Sequence, residues 1–344
     1  MKEMKNKVVV ITGASSGIGR ATALRFAQAG ANLVLGARRK SLLKELAAEC
    51  EQLNVRALSV DTDVSDSGDV ERLSRRAIDA FGGIDAWVNN AGVSTFGRFD
   101  EIPLEEHRQV IETDLMGCIY GSYEALRQFR QQGKGVLINV SSYLGKDSAP
   151  YQSSYVAAKH GIRGLGMALR QELWANDNKD IHVCTVMPVS MDTPFFEHAA
   201  NHTGKPVQAI PPVYPPEQVS ETIFALAMKP KDEVIVGRAG KLFSMQGRFA
   251  PITAEKAMAM HTHRRQMRQN ASVPDSSGNV LKPTASGTGV RGGWLDNEAA
   301  RGQRSNGRKV AGSIAALAVP AALTWLLRRR ESRVSEGEKL DRVA

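Results

Sequence analysis

Cysteine is scarce: Cys50, Cys118 and Cys184 are the only three in 344 residues. They have no metal-ligand spacing and cannot all pair with one another, which excludes a disulfide scaffold and makes a reducing compartment the simplest reading. His198 and His202 stand at a metal-compatible i, i+4 interval, but the neighbouring sequence lacks a third ligand, so no metal site is expected. No leader is expected either, because MKEMKNK meets the first apolar run too early to leave room for a secretory signal. Acid is outnumbered by base, Asp+Glu 36 against Lys+Arg 45, for a formal net charge of +9. From Arg264 onward there are 15 basic and 7 acidic residues, so the excess belongs to the tail and the main domain is close to neutral. The basic tail is not interleaved with aromatics, which argues against a nucleic-acid binder.

What is present begins at Val8–Ala23, VVVITGASSGIGRATA. Four apolar residues, Val8 to Ile11, read as a buried parallel strand. Thr12 to Gly19 is a small-residue turn that opens a helix from Arg20 to Ala29. Gly13, Gly17 and Gly19 let the backbone turn sharply, so a diphosphate can approach the first helical N–H groups with no Cβ in the way. A strand, this glycine spacing and a helix make the first βα turn of a dinucleotide-binding fold. The second strand, Asn32 to Gly36, ends at Ala37-Arg38-Arg39. No carboxylate stands at that tip to read a ribose 2′-hydroxyl, and two guanidinium groups suit a 2′-phosphate, so NADP (NADPH) is preferred to NAD. The bland reading is a solvated basic run opening the next helix.

Short apolar strands alternate with helices as far as Val236, predicting right-handed crossovers and a seven-stranded parallel sheet. Ligands on such a sheet lie beyond the C-terminal strand ends, where Asp63, Asn90 and Gly92 fall. Tyr155 and Lys159 share one helix face at i, i+4 spacing, and Ser142 ends the strand Val136–Val140 with Ser141. A phenol at its reference pKa of about 10 is a poor base near neutrality. A neighbouring ammonium lowers that value, so Lys159 would equip Tyr155 for proton exchange with a substrate oxygen that Ser142 also hydrogen-bonds. Tyr151, four residues earlier, has tyrosine rather than lysine at i+4 and is passed over.

Thr12-Gly13-x-x-x-Gly17-x-Gly19, Asn89-Asn90-Ala91-Gly92, Ser142, Tyr155 and Lys159 together resemble the short-chain dehydrogenase/reductase family over about Lys5 to Gly237. The resemblance implies a Rossmann-type doubly wound α/β fold with Ser142, Tyr155 and Lys159 as the catalytic residues. Lys159 would also bind the nicotinamide ribose, Asp63 would contact the adenine, Asn90 would stabilise the central strand, and Thr193 would meet the nicotinamide carboxamide. The expected cofactor set is Thr12, Gly13, Ser15, Ser16, Gly17, Ile18, Gly19, Arg38, Arg39, Asp63, Val64, Asn90, Ala91, Gly92, Tyr155, Lys159, Pro188 and Thr193. Two positions depart from the family's pattern. Asp114 stands where the family usually has an Asn that holds a relay water, so Asp114 joins the catalytic set as a residue that tunes or weakens turnover, and Pro188-Val189 replaces a usual Pro-Gly. The long helices Glu105–Gln132 and the one after Tyr155 commonly form a dimer interface in this family, which implies a homo-oligomer.

Phe195, Phe196, Ile210, Pro211, Pro212, Val213 and Tyr214 lie in the stretch expected to form a substrate flap, pointing to an apolar carbonyl or alcohol. The expected reaction is NADP(H)-dependent interconversion of a secondary alcohol and a ketone, or reduction of an aldehyde. The alternative is a membrane-tethered NADP-binding scaffold with weak or no turnover. Residues 1–265 read as the catalytic domain and 266–307 as a flexible linker rich in Ser, Gly, Asn and Thr. Residues 308–344 hold Val310–Leu327, eighteen residues without a charge between basic clusters. Such a helix would span ~27 Å, enough for a membrane anchor; a helix packed on the enzyme or in a partner's groove is the other reading. With an intracellular cofactor and no leader expected, the catalytic domain is expected on the cytoplasmic side.

Overall fold

Strand β1 (Val8–Thr12) is buried along its whole length and pairs in parallel on both sides. Its side chains alternate between two apolar layers, as strand geometry requires. Val9 and Ile11 pack with Phe26, Leu43, Leu46 and Ile223 on one face of the sheet; Val8 and Val10 pack with Val70, Leu73, Phe129 and Leu173 on the other. The computed structural model describes residues 4–240, 251–267 and 270–296.

After β1 come α1 (Gly17–Gln28), β2 (Asn32–Ala37), α2 (Lys40–Glu51), β3 (Ala57–Asp61), α3 (Ser67–Phe81) and β4 (Ala86–Asn89). Asp66 caps α3, accepting the Gly68 and Asp69 N–H groups, and Gly82 ends it in the left-handed conformation. Next are β5 (Thr95–Phe96), α4 (Leu104–Val110), α5 (Gly117–Gln132), β6 (Gly135–Val140), α6 (Ser153–Ala175) and β7 (Ile181–Pro188). Finally come α7 (Phe195–His198), β8 (Ala200–Asn201), α8 (Glu217–Met228), β9 (Glu233–Val236) and α9 (Pro251–Met267). The main sheet has seven parallel strands in the order β3-β2-β1-β4-β6-β7-β9, so the chain reverses direction across the sheet between β1 and β4. That reversal opens a crevice above the strand ends, the position where such folds bind ligands.

Three features were not legible in the pattern. A second, two-stranded sheet pairs Thr95–Phe96 with Ala200–Asn201 and ties the flap to the catalytic half. The stretch expected as one helix from Glu105 to Gln132 contains a π-helical turn, Ile111–Met116, which aims Asp114 into the interior. The third is a correction. The composition of 266–307 predicts a flexible linker, but over 270–296 the chain packs on the domain through its backbone, with Val280 fully buried. The apolar stretch 310–327 lies outside the described residues; among those described, no helix is long and apolar enough to cross a membrane.

Candidate active site

The glycine turn is tied to the β4 strand end on one side. Asn90 Nδ2 donates to the carbonyls of Thr12 and Gly13 at 3.0 and 3.2 Å, and Thr12 Oγ1 accepts the Asn90 and Ala91 N–H groups. Gly13 sits at φ +65°, where a Cβ would also lie 2.7 Å from Ala91 Cα, and a Cβ on Gly19 would collide with the Gly13 carbonyl. Thr12 and Gly19 therefore build the turn from behind. The other expected cofactor residues, among them Ser15, Ser16, Ile18, Arg38, Arg39, Asp63, Val64, Gly92, Pro188 and Thr193, line one cavity of about 720 Å³. No side chain caps the first turn of α1; its Gly17 N–H donates instead to the Gly289 carbonyl at 3.0 Å. The glycine turn and the cavity volume fit a nicotinamide dinucleotide.

Ser142, Tyr155 and Lys159 line the same cavity. Ser142 Oγ faces the Tyr155 hydroxyl closely enough to lower its pKa and accepts the Leu144 N–H at 3.1 Å. Lys159 Nζ lies 5.3 Å from the centre of the Tyr155 ring and donates to the Val140 carbonyl at 3.4 Å. Asp114 is behind the cavity wall: Oδ1 accepts the Val93 N–H at 2.8 Å, and Oδ2 stands 3.1 Å from Lys159 Nζ. Both members of this ion pair are buried.

Burial lifts Asp114 above the usual carboxylate range, while the Lys159 ammonium and the Val93 N–H pull it down. Burial opposes the Lys159 charge, but Asp114, then Tyr155, hold the ammonium and raise its pKa. The expectation that Lys159 lowers the Tyr155 pKa holds for that single interaction and fails for the sum. Burial raises the phenol most, Lys159 and Ser142 lower it, Asp114 raises it further, and the net direction is up. The i, i+4 spacing reveals the cation and not the burial.

Tyr151 is separated from the cluster by its own geometry: it sits at φ +71° and its hydroxyl bonds His263 Nδ1 at 2.6 Å. The two flap histidines part company, His198 Nε2 meeting the Ser286 carbonyl and His202 Nε2 meeting Glu106 at 2.8 Å. The three cysteines are free and buried, and burial pushes the thiols of Cys50 and Cys118 up to about 12 and that of Cys184 up to about 11. None is poised as a nucleophile. Beneath the site, Asn89 donates to Asn139, Ser122 and the Cys118 carbonyl, binding β4, β6 and α5 through a buried polar network that motif reading missed. Met258, His261 and Arg265 of α9 and Asn279, Pro283, Thr284 and Trp294 also line the cavity. Nothing in their local sequence announces it.

A family model described as short chain dehydrogenase matches residues 7–203. The oxidoreductase YxnA of Bacillus subtilis is 35% identical over 300 residues, covering 86% of this chain and 84% of that protein; a match of this length cannot end at residue 203. Dehydrogenase/reductase SDR family member 7B of Bos taurus is 30% identical over 243 residues, 68% of this chain and 74% of that protein. An alcohol dehydrogenase from the archaeon Thermococcus sibiricus, solved in complex with 5-hydroxy-NADP, superposes with a TM-score of 0.58 at 31% identity, over 67% of this chain and 95% of that one. With the glycine turn, the Ser142, Tyr155 and Lys159 cluster and these similarities in agreement, the chain belongs to the short-chain dehydrogenase/reductase family and is an NAD(P)-dependent oxidoreductase.

Proposed function

We propose that this enzyme is an NADPH-dependent reductase of apolar ketones or aldehydes. The observation that carries the reading is the placing of Ser142, Tyr155 and Lys159 in the same cavity as the glycine turn and Arg38. The dinucleotide, when bound, supplies a hydride to the carbonyl carbon. Tyr155 gives its proton to the carbonyl oxygen, which Ser142 holds by a hydrogen bond as negative charge develops there. Lys159 then stabilises the phenolate left behind. The upward shift of Tyr155 keeps it a phenol near neutrality, which is the form a reductase needs and the wrong form for alcohol oxidation. Phe96, Leu144, Phe195, Phe196 and Met258 line the cavity and support an apolar substrate. The 5-hydroxy-NADP in the archaeal alcohol dehydrogenase supports the phosphorylated cofactor. Absorbance loss of NADPH against a panel of steroids, fatty aldehydes, quinones and small ketones tests this; a protein that binds NADPH yet oxidises it with none of them is the scaffold alternative instead.

Arg38 reads the 2′-phosphate in this assignment. Replacing Arg38 by Asp is expected to cut the preference for NADPH over NADH by roughly tenfold to a hundredfold, the worth of a charge-assisted contact. Parallel titrations of the two cofactors check it, and an unchanged ratio refutes the assignment. Self-association is assigned to α5 and α6, where Tyr123 and Trp174 remain 65% and 64% exposed. Trp174→Glu should lower the mass found by light scattering, and an unaltered mass moves the interface elsewhere.

A further inference from the structure

The segment Asn279–Trp294 crosses the outer edge of the cavity and is anchored along its length. Arg38 Nη2 donates to the Asn279 carbonyl at 2.6 Å, and Arg39 Nη1 donates to the carbonyls of Ser286 and Gly287 at 3.1 and 3.3 Å. The Gly289 carbonyl accepts the Gly17 N–H at 3.0 Å. At the far end, Trp294 N donates to Asp192 Oδ1 at 2.7 Å and its indole donates to the Thr193 carbonyl at 3.1 Å. Val280 is fully buried in the apolar cluster that contains Tyr155.

The segment is a roof over the cavity rather than a plug in it. Its Asn279, Pro283, Thr284 and Trp294 line the cavity together with Ser15, Arg38 and Asp63, so the space remains beneath it. It carries no acidic residue, and Lys282 and Arg291 are its only charges, so it does not imitate a phosphate. It holds Arg38 and Arg39 through neutral carbonyls, which occupy guanidinium N–H groups without neutralising their positive charge. Two of its polar atoms, Asn279 Oδ1 and Thr284 Oγ1, are buried with no hydrogen-bond partner. An orphaned buried polar atom is costly, and these two belong to residues that line the cavity, where a bound molecule can satisfy them.

We propose that Asn279–Trp294 completes the dinucleotide site, with Asn279 and Thr284 hydrogen-bonding the adenosine-phosphate half of the cofactor and the roof slowing its release. This rests on the NADPH reading above. It makes the tail part of the binding site and explains the docking of a segment whose composition is that of a linker.

The test uses the full-length protein with Asn279→Leu and Thr284→Val together, and separately Gly287→Val, since Gly287 sits at φ +65° and a side chain there meets the His198 imidazole. NADPH affinity is measured by fluorescence titration and its release by stopped-flow displacement. The double variant should weaken NADPH about tenfold, the order expected for lost hydrogen bonds, and leave the melting temperature of the cofactor-free protein equal or higher, because the orphaned atoms are gone. Gly287→Val should speed NADPH release by a similar factor. Unchanged affinity and release in both variants, with wild-type protein still binding NADPH, overturns the roof and leaves the dinucleotide reading standing. Tighter binding in either variant overturns it as well, since the segment would then compete with the cofactor. If wild-type protein binds neither NADPH nor NADH, it is the underlying reading that fails.

Discussion

Replacement of Tyr155 by phenylalanine is expected to lower kcat for carbonyl reduction by about 10² to 10⁴-fold, the range that a positioned general acid supplies. The substitution removes one oxygen and keeps the ring, which packs at 5.5 Å from Phe195 and within the cluster of Val93, Val110 and Val280. The melting temperature should therefore stay close to that of the wild type. NADPH affinity should change little, because Arg38, the glycine turn and Lys159 remain. The residual reduction should also lose the alkaline limb of its pH profile, since that limb reports the phenol ionising. Rates measured against NADPH with a saturating ketone, together with a cofactor titration, separate chemistry from binding. Full turnover in the variant would mean that the proton comes from elsewhere, and the assignment of Tyr155 would be lost.

Most of the fold was legible because its signals are local. The apolar run Val8–Ile11, the glycine spacing after it and the alternation of strands and helices specify each βα unit within a short stretch, and the handedness of crossovers then leaves few topologies. The pairing of Tyr155 and Lys159 in one cavity was legible for the same reason, since they are one turn apart on one helix. What stayed hidden depends on distance in the chain. The roof binds through carbonyls at Asn279, Ser286, Gly287 and Gly289, and a carbonyl is present at every residue, so composition says nothing of it. The Thr95–Phe96 and Ala200–Asn201 ladder is too short to show a period. The direction of the Tyr155 pKa was misjudged because burial, the largest contribution, is a property of the assembled core and not of the i, i+4 pair.

Asp114 gives the second large effect, and its sign follows from the charges it faces. Oδ2 stands 3.1 Å from Lys159 Nζ, and among the causes acting on Tyr155 it opposes the lysine by raising the phenol's pKa. Asp114→Asn keeps an oxygen for the Val93 N–H and removes the negative charge. Lys159 is then a buried cation without its carboxylate, so the folded protein should lose roughly 3 kcal/mol at neutral pH, the scale for breaking one side of a buried pair. For Lys159 the linkage runs one way: a folded pKa raised above the unfolded value adds stability below the unfolded pKa and loses it as pH rises through the folded one. Removing Asp114 lowers that folded pKa, so the variant's loss should be full at neutral pH and shrink toward alkaline pH, where Lys159 is uncharged in both proteins. At the phenol the carboxylate's repulsion is gone, so the alkaline limb of carbonyl reduction should move to lower pH. Alcohol oxidation, which needs the phenolate, should gain relative to reduction at neutral pH. Chemical denaturation across pH and rate profiles in both directions check the two halves separately. A limb that moves upward instead would show that Lys159 had surrendered its charge, making Asp114 the keeper of that cation rather than a brake on the phenol. An unmoved limb would remove Asp114 from the proton chemistry and leave it a structural partner alone.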